Sequence, residues 1–492
     1  MSAAEHAHPL PEPEATPPMV AAVGRWMGPA LGAALVAMTH PAVGGVGGIG
    51  ADAAWTLGLL AWMATWWMTQ AVEMAVTALL PVIVLPLLGI GSFRVVGGNY
   101  ADQVIFLFAG GTTLGWALER HGLSARFAAG LLRVAGRSPA ATVAALFTAS
   151  AVISAFVSNM ATTAALLPLA AGVASTAVAR PGASPAAAAR GARHLTTATM
   201  LAVAYGSSIG GAATIIGSPP NPIAAQYLAE RGEPIDFTAW LVIGVPAAVI
   251  MGASTVVVLL RMLPVRDVVL RGGTTDGAAP PLTAAAWSTA AVFTAAVLAW
   301  TTSKAWPPAW RPDGLTDGGI AITAAAVLFL LPARDGTGAR VVPWSAVRDL
   351  PWGVFVLFGG GLALADAMQR TGLSDAIGNA FAGLEGLPAV LAVATVVTAM
   401  VFASEIASNT ALAATAVPIV GALAPALGLP LRPAVMAATL GASLAFMLPV
   451  GTPPNALVFA TGQVPARAML RVGFVLNLVS VAVITAVIML LA

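Results

Sequence analysis

Two long apolar stretches constrain the fold of this chain more than any other feature. They cover residues 138–179 and 386–429, and each has a polar motif near its middle, Ser158-Asn159-Met160 in the first and Ser408-Asn409-Thr410 in the second. A continuous helix of about 42 residues would be about 60 Å long, twice the thickness of the hydrocarbon core of a bilayer. Each stretch is therefore either two crossing helices or a re-entrant hairpin with the polar motif at its tip.

The composition places these stretches in a membrane. The chain has 492 residues, of which 58% are hydrophobic and only 9% are charged, whereas about a quarter of the residues of a soluble domain are charged. It cannot cover a water-facing surface, so we expect an all-α polytopic membrane protein. The net charge of +2 gives no indication of a nucleic-acid partner, and the absence of Cys excludes disulfides, thiolate metal sites and a Cys nucleophile.

About eleven other segments have the length and apolar character of transmembrane helices, for which about 20 residues are needed. They are 25–45, 53–70, 73–91, 101–119, 194–229, 237–262, 284–303, 318–332, 351–369, 433–463 and 471–492. The first transmembrane helix is thus expected within 25–50. Residues 1–24 lack a basic region before an apolar one, which predicts a short disordered cytoplasmic tail and not a cleaved signal peptide.

The positions of the arginines predict which side of the membrane each loop faces. Both flanks of 138–179 are basic, which places both on the cytoplasmic side and favours a hairpin that enters and leaves there. The arginines concerned are Arg120, Arg126, Arg133, Arg137, Arg180, Arg190 and Arg193. The flanks of 386–429 carry only Arg370 and Arg432, as expected of an external position. Counting the membrane crossings in the same way predicts a cytoplasmic N-terminus and an external C-terminus. The predicted side of each later loop would be unchanged if 138–179 were two crossing helices.

The two halves of the chain resemble each other. Ten of eighteen positions are identical between residues 107–124 and 357–374, at the offset of 250 that also relates the two Ser-Asn motifs. This predicts repeat one over 51–271, a linker over 272–283 and repeat two over 284–492. Matching segments in opposite orientation form an inverted repeat, which is typical of secondary transporters.

A second pair of motifs interrupts the spans 194–229 and 433–463, which we expect to be broken helices. These motifs are Gly-Ser-Pro-Pro-Asn at 217–221 and Gly-Thr-Pro-Pro-Asn at 451–455. Adjacent prolines open the backbone and free its carbonyls, which with hydroxyl and amide oxygens suit Na⁺ better than a transition metal. The N-termini of the half-helices can hold an anion without Lys or Arg. A dry carboxylate would be costly unless cations lay nearby, which predicts coupled binding.

Glu405, three residues before Ser408, is a candidate for a charged residue within the membrane. It is either a hydrogen-bond acceptor that braces the hairpin or a proton carrier, since intramembrane carboxylates are functional candidates. We favour the brace, because the matching position of the first half is Ala155.

These motifs identify a family. With the segments WWMTQAVEMAVTALLPVIVLPLLGI at 66–90, GSPPNPIA at 217–224 and MLPVGTPPNALVFATG at 447–462, the chain resembles the divalent anion:sodium symporter family of INDY-like di- and tricarboxylate transporters. The resemblance covers nearly all of 51–492. It implies a homodimer in the lipid of the plasma (inner) membrane, and in each protomer a scaffold and a transport domain that slides as an elevator.

The resemblance also implies a site. One sodium site would use Ser154, Ser158, Asn159 and Gly217, and the other Ser404, Ala407, Asn409 and Gly451. Substrate carboxylates would meet Asn159, Ser408, Asn409 and Thr410, near Pro220 and Pro454, with Ser218, Asn221, Glu405, Thr452 and Asn455 in support. Sodium is the coupling ion, and no cofactor is expected. The family usually has Thr where this chain has Met160, so the first tip is expected to bind mainly the cation.

The leading functional hypothesis is sodium-coupled import of a dicarboxylate of the succinate, malate and fumarate class. Import of sulfate or another inorganic anion, and dicarboxylate exchange, remain alternatives on the same fold. An intramembrane enzyme has little support, because the chain lacks the His-Glu-x-x-His and Gly-x-Ser-x-Gly motifs. A passive channel is disfavoured by the inverted repeat with broken helices.

Overall fold

The computed structural model describes residues 18–43, 49–271, 281–307, 312, 315–381 and 386–492. Most of the predicted tail 1–24 and most of the predicted linker 272–283 lie outside these residues. The first helix begins earlier than predicted, at Pro18, so residues 18–24 are helical and not part of a disordered tail. The reason is local, since apolar residues follow Pro18 directly and proline is well tolerated in the first turn of a helix.

The described residues are almost entirely helical. The helices of the first half are α1 (Pro18–Thr39), α2 (Ala51–Thr69), α3 (Met74–Thr77), α4 (Leu80–Leu87), α5 (Phe93–Gly98), α6 (Gln103–Arg120), α7 (Leu123–Ala135), α8 (Pro139–Ser154), α9 (Asn159–Ser175), α10 (Pro185–Gly211), α11 (Pro220–Ala229) and α12 (Phe237–Met262). Those of the second half are α13 (Ala284–Thr302), α14 (Asp317–Leu330), α15 (Trp352–Arg370), α16 (Leu373–Ala380), α17 (Ala389–Ala403), α18 (Asn409–Leu423), α19 (Leu431–Ala442), α20 (Pro453–Ala460) and α21 (Ala466–Leu491).

The fold is of the predicted all-α class, and among the described residues it includes one small β-sheet. Strands β1 (Ala177–Ala179) and β2 (Val268–Leu270) pair in antiparallel fashion, with Ala177 opposite Leu270. The sheet joins the segment after α9 to the segment after α12. Three residues per strand are too few for a sequence pattern to reveal, because a period of two needs a longer run.

Five of the described helices are long and apolar enough to cross a membrane, namely α1, α12, α13, α15 and α21. Of the other predicted spans, α2 and α6 are single helices of 19 and 18 residues, α14 has 14 residues, and the rest are divided. The span predicted at 73–91, for example, consists of α3 and α4, and prolines at positions 81 and 86 lie in the second of these helices. Proline has no N–H to donate and disfavours a helical residue before it, which accounts for such short pieces.

The two long apolar stretches are each divided at the polar motif. In the first, α8 has 16 residues and α9 has 17; in the second, α17 and α18 have 15 each. At 1.5 Å per residue these helices are about 22–26 Å long, which is less than the hydrocarbon core. We call residues 154–160 tip one and residues 404–410 tip two.

The predicted broken helices also end and restart. Helix α10 ends at Gly211 and α11 begins at Pro220, while α19 ends at Ala442 and α20 begins at Pro453. We call residues 212–219 break one and residues 443–452 break two. The repeat is visible elsewhere too, because α7 and α16 both follow a glycine in the left-handed region, Gly122 (φ 70°) and Gly372 (φ 75°), at the offset of 250.

The two halves pack into each other around the breaks. Helix α11 of the first half packs against α18 and α19 of the second, and α20 of the second packs against α9 and α10 of the first. Helix α21 lies across α12, α17 and α19. Each half-helix that follows a break therefore packs against the hairpin of the opposite half. These contacts bring both tips and both breaks into one region of the molecule.

Candidate functional site

One asparagine closes each break. The Asn221 amide nitrogen donates to the carbonyls of Gly211 and Thr214, at 2.8 and 2.7 Å. The Asn455 amide nitrogen donates to the carbonyls of Ala445 and Leu448, both at 3.1 Å. The acceptors lie ten and seven residues before the asparagine in both cases. Each amide thus ties together two carbonyls at the end of the preceding helix or within the break, and it holds the break in shape.

In tip one, the side-chain amide of Asn159 lies among three oxygen atoms. The amide of Asn159 has its terminal atom 2.7 Å from Ser154 Oγ and 3.2 Å from the carbonyl oxygens of both Ser207 and Gly217. With nitrogen at that place, the amide donates to these acceptors. With oxygen there, four oxygens cluster without a proton donor for the carbonyls, an arrangement that a hard cation stabilises. We call these four groups cation site one.

The backbone around cation site one has no room for larger residues. A Cβ on Gly211 would overlap Asn159 Oδ1 and lie 3.0 Å from the carbonyl oxygen of Gly217. A Cβ on Gly217 would lie 2.6 Å from the carbonyl oxygen of Gly211. Glycine at both positions allows tip one and break one to approach closely enough for their oxygens to meet.

Several residues that support tip one were missed by the sequence analysis. Thr163 Oγ1 donates to the Asn159 carbonyl at 2.8 Å and lies 2.9 Å from Ser207 Oγ. Thr214 Oγ1 donates to the carbonyl of Ala155 and ties break one to tip one. Thr163 and Ser207 are buried polar residues in apolar helices, which is a signal that sequence reasoning could have used. Sequence alone does not show that Ser207 contributes its carbonyl.

Tip two has a matching set of residues. Ser404 is buried and its hydroxyl donates to the Val401 carbonyl at 2.8 Å, and Ala407 is buried close to it in sequence. Asn409 Oδ1 is buried with no hydrogen-bond partner among the described residues. A buried acceptor without a partner is costly, so this oxygen is suited to a cation or a donor from outside the chain. We call Ser404, Ala407, Asn409 and Gly451 cation site two.

Glu405 joins tip two to break two. Its Oε1 accepts from the backbone N–H groups of Phe446 and Met447, at 2.7 and 2.9 Å, and from the Asn477 amide at 2.8 Å. Its Oε2 accepts from Leu448 N at 2.9 Å. The side chain bridges three segments of the chain, and Asn477 on α21 is a further partner that the sequence analysis did not identify. As a polar residue within an apolar helix, it could have been flagged.

The two tips differ in the groups that they leave available. In tip one, Ser158 Oγ caps α9 by accepting from Ala161 N at 3.2 Å, and Met160 is 38% exposed. In tip two, Ser408 makes no side-chain capping bond to α18, and both Ser408 and Thr410 are half-buried. Tip two therefore presents two hydroxyls and an amide, whereas tip one presents a thioether beside an engaged Ser and Asn.

The remaining predicted residues lie in the breaks or at the start of the helix that follows each break. Pro220 begins α11 and Pro454 is the second residue of α20, so both lie where a half-helix meets the opposite half. Thr452 Oγ1 caps α20 by accepting from Asn455 N at 3.3 Å, and Ser218 is buried with its carbonyl bound by Asn221 N at 3.1 Å. These residues shape the backbone of the two breaks and of the helices that follow them.

The chemistry of the region is that of hard oxygen ligands. Within the described residues there is no group of three or more His, Cys, Asp or Glu side chains that could hold a metal ion. Both tips and both breaks lack Lys and Arg. Carbonyl, hydroxyl and amide oxygens suit an alkali cation, and the N-termini of α9, α11, α18 and α20 supply partial positive charge for an anion.

Comparisons with known proteins agree with this chemistry. The family model described as citrate transporter (CitMHS) matches residues 64–441. A protein of Staphylococcus saprophyticus named sodium-dependent dicarboxylate transporter SdcS is 34% identical over 444 residues, which is 88% of this chain and 85% of that protein. The Staphylococcus aureus protein of the same name is 32% identical over 445 residues, with the same coverage.

A solved structure shares the fold. The crystal structure of the Alcanivorax borkumensis YdaH transporter, described as having an unusual topology, has a TM-score of 0.59 to this chain at 16% sequence identity. The match covers 80% of this chain and 87% of that structure. At this identity the likeness concerns the fold alone.

Proposed function

The chain belongs to the citrate transporter family, and on this premise we propose that it imports dicarboxylates of the succinate, malate and fumarate class together with sodium. Membership makes it an integral membrane transport protein, so the intramembrane enzyme is no longer an alternative. The resemblance to the divalent anion:sodium symporters is thereby confirmed. Relatives named as sodium-dependent dicarboxylate transporters support both the ion and the substrate class.

The observation that carries the proposal is the meeting of the Asn159 amide with three oxygen groups at cation site one. This amide lies 2.7 Å from Ser154 Oγ and 3.2 Å from the carbonyl oxygens of Ser207 and Gly217, and the tips and breaks contain no Lys or Arg to balance an anion. A dianionic substrate in such a region needs formal positive charge beyond the partial charge of the helix N-termini. Sodium ions at the two cation sites would supply it, which makes anion binding dependent on sodium.

The proposed mechanism is alternating access by an elevator motion. The two hairpins and two broken helices would form the transport domain, which would slide against a scaffold containing α2, α6 and α15. The contacts of α11 with α18 and of α20 with α9 support this division, because they join the hairpins and broken helices into one unit. We further propose a homodimer in the plasma membrane with hairpins of opposite orientation, a cytoplasmic N-terminus and an external C-terminus.

The proposal is tested by uptake of radiolabelled succinate into proteoliposomes. With an inward sodium gradient, we expect concentrative uptake that disappears when potassium replaces sodium. If equal uptake occurs in potassium, sodium coupling is wrong. If uptake occurs only when the vesicles contain internal dicarboxylate, the protein is an exchanger.

Because of Met160, inorganic anions are a second candidate class of substrate. A thioether cannot donate the hydrogen bond that a hydroxyl at this position would offer to a carboxylate. Competition of succinate uptake by sulfate, malate and citrate discriminates the classes. Stronger inhibition by sulfate than by any dicarboxylate would overturn the dicarboxylate assignment.

Met160→Thr is expected to lower the KM for succinate about tenfold, because a charge-assisted hydrogen bond contributes about 1.5–3 kcal/mol. The half-saturating sodium concentration should stay the same, since cation site one uses no group of the Met160 side chain. Met160→Leu is the matched control, because it keeps an apolar side chain of similar size. An unchanged KM in Met160→Thr would show that this side chain does not face the substrate.

A further inference from the structure

The two tips are tied to their breaks by opposite chemistry. In the first half, the side chain of Thr214 in break one donates to the backbone carbonyl of Ala155 in tip one. In the second half, the side chain of Glu405 in tip two accepts from the backbone N–H groups of residues 446–448 in break two. Ala155 and Glu405 occupy matching positions at the offset of 250. One tip is thus held by a neutral hydroxyl and the other by a carboxylate.

The carboxylate of Glu405 is buried among neutral donors. Its side chain is 3% exposed, and its four partners are three backbone N–H groups and the amide nitrogen of Asn477. Four N–H donors fit an ionised carboxylate, which only accepts. None of these partners carries a formal positive charge, so they leave a net negative charge at tip two that tip one does not have.

This charge lies next to cation site two. Glu405 follows the proposed ligand Ser404 directly, and a Cβ built on Gly451 would be 3.0 Å from Glu405 Oε2. Oε2 accepts one hydrogen bond whereas Oε1 accepts three, so the less saturated oxygen is the one beside Gly451. Asn409 Oδ1, a buried acceptor without a partner in the described part of the chain, is a proposed ligand of the same site.

We propose that the Glu405 carboxylate makes the two sodium sites unequal. Cation site two binds its sodium more tightly and first, and the carboxylate opposes substrate binding until that sodium is present. The physical reason is that a charge in a region of low dielectric constant attracts a cation and repels a dianion strongly. This inference rests on the proposed sodium-coupled function and assigns Glu405 as a positioning residue that also enforces the coupling.

The test measures sodium-dependent thermal stabilisation of the purified protein in detergent, followed by tryptophan fluorescence. A ligand that binds only the folded state raises the unfolding temperature as its concentration passes the Kd. We expect Glu405→Gln to raise the sodium concentration for half-maximal stabilisation about tenfold, equivalent to about 1.4 kcal/mol. In potassium without sodium, succinate should stabilise Glu405→Gln more than the wild type.

Two further variants separate the effect of the Glu405 charge from the effect of its hydrogen bonds. Asn477→Ala removes one donor and keeps the charge, so we expect the half-saturating sodium concentration to stay within about threefold of the wild type. The double variant Glu405→Gln/Asn477→Asp returns a carboxylate to the partner position, 2.8 Å from the original acceptor. This double variant should recover most of the sodium affinity. If Glu405→Gln alone does not fold, the sodium response of the double variant is compared with that of the wild type instead.

The outcomes are distinct. A shift in Asn477→Ala as large as that in Glu405→Gln, or a double variant that recovers nothing, would overturn the proposal and leave Glu405 with a structural role only. A wild type that sodium does not stabilise at all would instead contradict sodium coupling itself. An unchanged sodium response in Glu405→Gln, alongside normal stabilisation of the wild type, would refute the inference and leave the proposed function intact.

Discussion

Asn409→Ala is expected to abolish succinate transport, with a loss of at least about 100-fold in initial uptake rate. Asn409 is the first residue of α18, and its buried Oδ1 has no partner among the described residues. Alanine would remove a ligand of cation site two and a donor to the substrate at once. Each charge-assisted contact contributes about 1.5–3 kcal/mol, so two such losses account for this factor.

The fold should survive this substitution. The orphaned oxygen stabilises nothing within the described chain, so the unfolding temperature of Asn409→Ala in potassium should match the wild type or exceed it. Asn379→Ala, at an exposed asparagine in α16, is the matched control and should transport normally. Wild-type uptake by folded Asn409→Ala would contradict the placement of tip two in the binding site.

Gly473→Ala is expected to destabilise the protein by about 1–3 kcal/mol and to impair transport severely, because it overpacks the contact between α21 and break two. A Cβ on Gly473 would overlap the carbonyl of Phe446 and lie 2.5 Å from Met447 Cα. The obstructing atoms are backbone, so they cannot turn aside as a flexible side chain would. The displaced residues are those whose N–H groups bind Glu405.

Gly172→Ala in α9 is the control for this prediction, because nothing lies within 4 Å of a Cβ at that position. Alanine favours a helix over glycine by about 0.5–1 kcal/mol, so this variant should be as stable as the wild type or more stable. The measurement is the unfolding temperature in detergent together with sodium-dependent uptake. Equal behaviour of Gly473→Ala and Gly172→Ala would show that break two tolerates the displacement.

Much of this architecture could be predicted because its signals are local. The Pro-Pro-Asn motifs marked the places where α11 and α20 begin, since proline is well tolerated in the first turn of a helix and not in its interior. The Ser-Asn motifs marked the junctions of α8 with α9 and of α17 with α18, because a polar run inside an apolar segment must face protein or water. The differences in residue number between matching motifs then showed which elements of the two halves correspond to each other.

The rest depended on contacts between residues distant in sequence. The Ser207 carbonyl belongs to cation site one only because α10 runs beside tip one, and any residue type has a carbonyl. The link from Glu405 to Asn477 spans 72 positions. The strands β1 and β2 are three residues each, and α1 begins earlier than the polar composition of the tail indicated. For the Ser207 carbonyl, Glu405 and the strands, the deciding partner lies outside the window in which a sequence pattern can be read, whereas the early start of α1 has a local cause.

The packing of α11 against α18 has a consequence for how the chain is made. The two helices are separated by about 180 residues, which at roughly 5–20 residues per second takes a ribosome roughly 10–35 s to synthesise. During that interval the newly inserted first half has no partner for this face of α11. It must keep break one closed through bonds of its own, among them those of Asn221 and the bond from Thr214 to Ala155, so these bonds serve the nascent protein before they serve the finished one.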